Sequence, residues 1–289
     1  MFENVETFCR PASVREALQL LHDAKGSARI IAGCTDLIVE GDRSVRCLID
    51  LHHAGLSYIR RRGPNWAIGS TTTMAEIEES RVMHVLAGGL LSRAAATCGA
   101  IQIRNMATIG GNMANGSPSA DLATPLLALD AWAVVADLTR RRRTPLAEYL
   151  PVARGREMHN SLLVEVAFPE PPHGSRCAWS FQKFGRTEVD ISLVNVAAGL
   201  QLDARGRVKW ARLALGAVAP TPIRIAAAEQ LLTGRILDQA LLTEVCELVM
   251  REVSPISDIR ASADYRRELS RVLTGRAIEE CAAHAGWSL

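Results

Sequence analysis

The six residues Pro169-Glu170-Pro171-Pro172-His173-Gly174 constrain this chain more than any other stretch. Proline lacks a backbone N–H and fixes φ, and glycine visits angles closed to other residues, so neither a helix nor a central strand runs through such a sequence. The 289 residues are therefore read as two domains meeting there, one over 1–172 and one over 175–289. With 48% hydrophobic and 22% charged residues, the chain has the composition of a globular protein that buries sizeable cores.

On the N-terminal side, Ser13-Val14-Arg15-Glu16 has the form of a capping box, and Val14, Ala17, Leu18 and Leu21 continue it at helical spacing. A helix is expected over 13–22. Short strands are expected over 29–33, 47–51, 58–61 and 66–69, followed by a second capping box at Thr73-Met74-Ala75-Glu76 and a helix between 82 and 98. From 99 to 121 periodicity is lost and Gly, Asn, Ser and Thr accumulate, an irregular stretch long enough to point to function. Strands over 131–136 and 162–168 lead to the proline break, and Arg140 to Arg143 read as a solvated strand or turn. Beyond the break, β-rich runs at 193–202 and 207–218 flank the hairpin signal Asp203-Ala204-Arg205-Gly206. Three helices are expected from 223 onward, with Pro255 between the last two.

Several function classes are disfavoured. A net charge of +2 gives no case for a nucleic-acid partner, and no apolar run reaches the roughly 18 residues of a membrane span. Glu3 and Glu6 stand where a secretory signal needs basic residues, so a cytoplasmic location is expected. The seven cysteines are scattered without a C-x-x-C pair or a metal-like spacing, so neither a disulfide framework nor a metal site is expected in this chain. His52-His53 has no evident nucleophile to serve and reads as structural, and Met106 and Met113 read as packing.

Two segments carry the chemistry. In Ile30-Ile31-Ala32-Gly33-Cys34-Thr35-Asp36-Leu37 a glycine closes a strand and exposes successive N–H groups beside a small hydroxyl. In Thr108-Ile109-Gly110-Gly111-Asn112-Met113-Ala114-Asn115-Gly116-Ser117-Pro118-Ser119-Ala120-Asp121, paired glycines permit close approach of a ligand to the main chain. A pyrophosphate suits both, although a Gly-Gly pair among Asn and Ser also serves ordinary loops. Neither the P-loop pattern nor the G-x-G-x-x-G fingerprint of dinucleotide folds is present.

Taken together and in this order, the two segments resemble the A-G-G-T-D-L and T-I-G-G-N-x-x-x-x-S-P-x-x-D fingerprints of the FAD-binding medium subunits of molybdenum hydroxylases, the xanthine dehydrogenase and carbon monoxide dehydrogenase family. The resemblance continues through Phe181-Gln182-Lys183-Phe184-Gly185-Arg186, Val194-Asn195-Val196-Ala197 and 257–267. Cys34 departs from it, standing where the family usually has a second glycine.

The resemblance implies an α+β fold: a two-lobed FAD-binding domain of the PCMH type, then a smaller domain with an antiparallel sheet and helices. It implies that Ile30, Ile31, Ala32, Gly33, Cys34, Thr35, Asp36 and Leu37, with Thr108, Ile109, Gly110, Gly111 and Asn112, wrap the FAD pyrophosphate through main-chain N–H groups and the Thr35, Thr108 and Asn112 side chains. Asp121 would hydrogen-bond a polar part of the flavin. Leu163 and Lys183 align with positions that touch the ring, with plain core an equal reading of Leu163. It further implies a large molybdopterin-binding partner and a small [2Fe-2S] partner in a dimer of heterotrimers, with FAD passing electrons from the clusters to an external acceptor. The alternative is a free-standing FAD-dependent oxidase or reductase. The organic substrate and the acceptor are not encoded in these motifs.

Overall fold

The computed structural model describes residues 2–155 and 160–289. In chain order the elements up to the glycine-rich region are β1 (Thr7–Cys9), α1 (Val14–Asp23), β2 (Ala28–Ile31), α2 (Leu37–Glu40), β3 (Cys47–Asp50), β4 (Ile59–Arg62), β5 (Asn65–Gly69), α3 (Met74–Glu79), α4 (Arg81–Val85) and α5 (Leu90–Ala96). Then follow α6 (Ile101–Met106), α7 (Ile109–Asn115), α8 (Ala123–Ala128), β6 (Trp132–Ala136), β7 (Arg141–Pro145), α9 (Leu146–Arg154) and β8 (Leu162–Pro169). The remainder comprises β9 (Cys177–Phe184), β10 (Val194–Leu202), β11 (Val208–Gly216), β12 (Ile223–Arg224), α10 (Ala226–Leu232), α11 (Gln239–Glu252) and α12 (Ala263–His284). The chain forms two compact units, each assembled from separate segments: 1–77, 101–116 and 131–169 make the first, and 78–100, 117–130 and 170–289 the second.

The first unit is built on two sheets. A small parallel sheet runs in the order β1-β3-β2, with α1 connecting its outer strands. The amphipathic face of α1 buries Ala17 and Leu18 in a cluster with Ile49, Leu51, Leu56 and Val164. Ser13 caps this helix at the Glu16 N–H, and the Glu16 carboxylate reaches back to the Ala12 N–H at 2.8 Å. The second sheet is antiparallel in the order β4-β5-β8-β6-β7. Its central strand β8 is buried along most of its length, as the unbroken run Leu162-Leu163-Val164 requires. Glu165 interrupts that run and is charge-compensated inside the sheet: the Tyr58 hydroxyl donates to it at 2.5 Å and Arg62 at 3.0 Å. The arginine run lies on the edge strand β7, where exposed positive charges discourage further strand pairing.

The second unit carries the antiparallel sheet β12-β11-β10-β9. Helix α12 packs across β9 and β10, burying Leu269, Leu273, Ala277 and Cys281, four residues apart along one face. Leu241, Val245 and Val249 of α11 join the same core. The hairpin at Asp203–Gly206 is closed by the Asp203 carboxylate, which accepts from the N–H groups of Arg205 and Arg207.

Two expectations are corrected. The helix expected over 82–98 breaks into α4 and α5, because Ala87, Gly88 and Gly89 all take positive φ and the chain turns at that point. The segment 99–121 is not irregular throughout: Thr108 caps α7, and α6 precedes it, so local capping overrides a composition that favours loops. Strands β1 and β9, unmarked by clean alternation, complete the two units.

Candidate functional site

The parallel sheet of the first unit delivers the first glycine-bearing segment. Ile30 and Ile31 end β2, and Ala32, Gly33, Cys34, Thr35 and Asp36 turn away from it before Leu37 opens α2. Ligands of parallel sheets sit beyond such carboxyl ends. Gly33 is held there by the protein itself, since a Cβ would fall 1.9 Å from the Met106 carbonyl oxygen. Cys34 adopts φ 58°, a left-handed conformation that favours glycine, so the departure from the family pattern falls on the position where it costs most. Among the described residues, the N–H groups of Gly33, Cys34, Thr35 and Asp36 donate to no protein acceptor. Four successive unclaimed donors at a strand end form the kind of surface that binds an anion.

Side-chain electrostatics modulate that surface. The Cys34 thiol is pushed up by burial and by the nearby Asp50 carboxylate, so it stays protonated near neutral pH. Burial and the neighbouring Glu40 raise the Asp36 carboxyl above its usual range, and a hydrogen bond with the Asn115 side chain opposes them. The packing of Gly33 against Met106 and Ala107 sets the first segment beside the start of the second.

The second segment uses its main chain differently. The Ile109 N–H donates to the Thr72 carbonyl at 2.9 Å, Gly110 to Ser70 at 2.8 Å, Gly111 to the Thr108 hydroxyl at 3.1 Å and Asn112 to the Thr108 carbonyl at 3.0 Å. These N–H groups are thus engaged within the protein. The two glycines differ in what surrounds them: among the described residues a Cβ on Gly111 would meet the Thr108 hydroxyl at 3.2 Å, whereas one on Gly110 would strike the Ser70 carbonyl at 2.4 Å. The Asn112 Oδ1 is buried and has no hydrogen-bond partner among the described residues.

Sequence reasoning passed over one neighbour of these segments, the hydroxyl run Ser70-Thr71-Thr72-Thr73 that follows β5. The Ser70 and Thr71 hydroxyls are buried without partners among the described residues, while Thr72 is tied to the Tyr58 backbone through its hydroxyl. Four hydroxyl residues directly after Gly69, at a strand end, were the available signal. Leu163 lies at the start of β8 opposite Val135 and is buried as a core residue. Met113 is fully buried, but Met106 is half exposed, so only the first packs as expected. The His52 ring lies 2.5 Å from the Asp50 carboxylate, a contact within its own turn that matches a structural role.

Asp121 and Lys183 belong to the second unit, where they form a buried pair at 3.1 Å. Lys183 Nζ also donates to the Thr97 carbonyl at 2.7 Å, and the Ser192 hydroxyl donates to the other Asp121 oxygen at 2.7 Å. Asn195 extends the network from Ser192 to the Thr124 hydroxyl. Burial pushes the Asp121 carboxyl up, against the lowering pull of the Lys183 charge and the Ser192 hydrogen bond.

Comparison with known proteins fixes the family. Residues 2–171 match the model of the FAD binding domain in molybdopterin dehydrogenase. The chain belongs to that family. Residues 179–281 match the CO dehydrogenase flavoprotein C-terminal domain. The chain is 33% identical over 293 residues to the putative xanthine dehydrogenase FAD-binding subunit XdhB of Escherichia coli (strain K12), covering 98% of each chain. It is also 29% identical to the carbon monoxide dehydrogenase medium chain of Afipia carboxidovorans, covering 96% of each. Among solved structures it is similar to reconstituted CO dehydrogenase from Oligotropha carboxidovorans (TM-score 0.90, 27% identity, 98% of this chain and 99% of that one). It is likewise similar to quinoline 2-oxidoreductase from Pseudomonas putida 86 (TM-score 0.87, 28% identity, 99% and 100%). The α+β fold implied by the sequence is the fold of this family, and the protein is an FAD-containing subunit of a molybdopterin-dependent oxidoreductase. The first unit fits that cofactor: the unclaimed N–H groups of Gly33 to Asp36 are donors of the kind that suits a pyrophosphate.

Proposed function

We propose that this chain is the electron-transfer flavoprotein of a molybdenum hydroxylase complex, carrying electrons from [2Fe-2S] clusters of a small partner subunit to an external acceptor. The organic substrate would be oxidised in a large molybdopterin-binding partner, and the assembly would be a cytoplasmic dimer of heterotrimers. Bound FAD supplies the chemistry that the polypeptide lacks, accepting electrons one at a time and releasing two. Residues 1–172 serve as its FAD-binding domain and 175–289 as the second domain of the subunit.

The chain's own residues bind and orient. The unclaimed N–H groups of Gly33, Cys34, Thr35 and Asp36 hold the pyrophosphate, and this is the observation that carries the reading. Ile30, Ile31, Ala32 and Leu37 set the course of that turn, while Thr35 and Thr108 offer hydroxyls. Ile109 and Gly110 act indirectly, their N–H groups anchoring the second segment to Thr72 and Ser70 so that Gly111 and Asn112 face the ligand. Asp121 addresses a polar part of the flavin: a carboxylate has about four lone-pair directions, and Lys183 and Ser192 leave some of them free. Lys183 fixes that carboxylate, and Leu163 serves the ring through packing.

In this reading iron and molybdenum are held by the partner subunits. The decisive experiment is purification with co-expressed neighbouring chains, followed by anaerobic addition of a heterocyclic or aldehyde substrate. Flavin should bleach in the complex and remain oxidised in the isolated subunit. Substrate-dependent bleaching of the lone subunit would overturn the relay and favour a free-standing oxidase.

A further inference from the structure

Cys9 and Cys47 lie on neighbouring strands of the parallel sheet in the first unit, and their sulfur atoms are 3.9 Å apart. Thr7 stands opposite Cys47 and Cys9 opposite Ile49, so the two cysteines are diagonal neighbours on one face of the sheet. Both are half-buried free thiols. Sulfurs in a disulfide are about 2.05 Å apart, so bonding requires the two to close by less than their present gap. Strand β1 can supply that movement. It has three residues, Thr7 and Phe8 on it are exposed, and it forms the outer edge of the sheet.

We propose that Cys9 and Cys47 form a peroxide-responsive disulfide that pins β1 to β3. One thiolate attacks hydrogen peroxide, breaking the O–O bond and leaving a sulfenic acid and water once protons are counted. The second thiol then attacks that sulfur and expels a second water, so two thiols and one peroxide become one disulfide and two waters. Thiol–disulfide exchange with an external thiol reverses such a bridge. Its consequence is local: β3 lies between β1 and β2, and β2 leads directly into the Gly33 to Asp36 turn, so the bridge braces the sheet that presents that turn. The inference concerns the thiols alone and does not depend on the proposed electron relay.

The test is peptide mapping of the full-length protein after hydrogen peroxide treatment and alkylation. A linked pair of peptides containing Cys9 and Cys47, lost on treatment with dithiothreitol, is the expected result. The oxidised protein should also melt at a higher temperature than the reduced one, because the bridge restricts the unfolded chain. Cys9→Ser should remove both the linked species and the shift in melting temperature while leaving the reduced protein's melting temperature close to wild type. Recovery of Cys9 and Cys47 in alkylated form after oxidation, or linkage of either to a different cysteine, overturns the proposal, and the mapping of wild-type protein decides this even where the variant folds poorly.

Discussion

The two glycine-bearing segments of the first unit look alike in sequence and do opposite things with their main chain. The turn after β2 leaves its N–H groups unclaimed, whereas the start of α7 turns every N–H from Ile109 to Asn112 toward a protein acceptor. Under the proposed function the first segment would donate hydrogen bonds to the cofactor and the second would contribute shape. Their glycines also differ: Gly33 and Gly110 are required by backbone that passes within 2.4 Å of a would-be Cβ, while a Cβ on Gly111 would meet a side chain, the Thr108 hydroxyl, at 3.2 Å. Gly111 has no positive φ, and under the proposed function its glycine serves the close approach of the ligand.

The largest effect should come from breaking the fold beneath that division. Gly33→Ala sets a Cβ against the Met106 carbonyl at 1.9 Å and the Ala107 Cα at 2.9 Å, and neither neighbour can rotate away. A loss of about 3 kcal/mol is expected, as for severe overpacking. Thermal unfolding followed by circular dichroism would measure it. A variant as stable as wild type would mean that the turn is free to move and that its open donors are not fixed in place.

Gly111→Val should separate ligand binding from folding. A Cβ at this position would lie 3.2 Å from the Thr108 hydroxyl that caps α7, so a modest loss of stability is expected, and under the proposed function the side chain would stand in the approach of the pyrophosphate. Two unmade hydrogen bonds at about 1.5 kcal/mol each to a charged partner weaken FAD binding about a hundredfold. Flavin content per folded protein reads the outcome, and a folded Gly111→Val protein with full FAD refutes the shape role.

That contrast also marks where the sequence stops being informative. Capping boxes at Ser13 and Thr73, the Asp203 hairpin and the C-terminal helices were legible because side chain and backbone interact within a few residues. The division of labour between the segments was not, since the acceptors of the Ile109 and Gly110 N–H groups, Thr72 and Ser70, lie far back in the chain. The buried Ser70 and Thr71 hydroxyls escaped notice for the same reason, as hydroxyl runs serve many loops until packing strips them of water. The Asp121–Lys183 pair likewise joins residues whose partnership only tertiary structure could reveal.

Cys34 offers a gentler probe of the donor segment. At φ 58° a side chain costs roughly 1 kcal/mol relative to glycine, offset in part by the greater freedom that glycine brings to the unfolded chain. Cys34→Gly should therefore raise the melting temperature slightly and keep FAD, because the open N–H groups remain. A fall in melting temperature would show that the thiol contact with the Ala32 carbonyl, 3.4 Å away, outweighs the backbone cost.

The smallest expected effect tests whether the anion sits at the donor segment at all. Asp36 adjoins the open N–H groups, and its carboxyl is raised by burial and by Glu40. For an acid raised in the folded state, the contribution to stability is fully present below the unfolded value and is lost as pH rises through the folded one, so the folded protein favours the proton. A pyrophosphate bound beside Asp36 adds negative charge and favours that proton further, so binding is linked to proton uptake. The affinity for FAD should accordingly rise as pH falls from neutrality toward the Asp36 titration. Like charges roughly 6 Å apart in water-like surroundings repel by about 0.7 kcal/mol, which sets the gain at about threefold. Asp36→Asn should bind FAD about that much more tightly at neutral pH and show a flatter pH dependence, as measured by flavin fluorescence on titration. An unchanged slope in Asp36→Asn, or an affinity that falls on acidification of the wild type over this range, would place the anion away from the turn and erase the distinction between donor and shape segments.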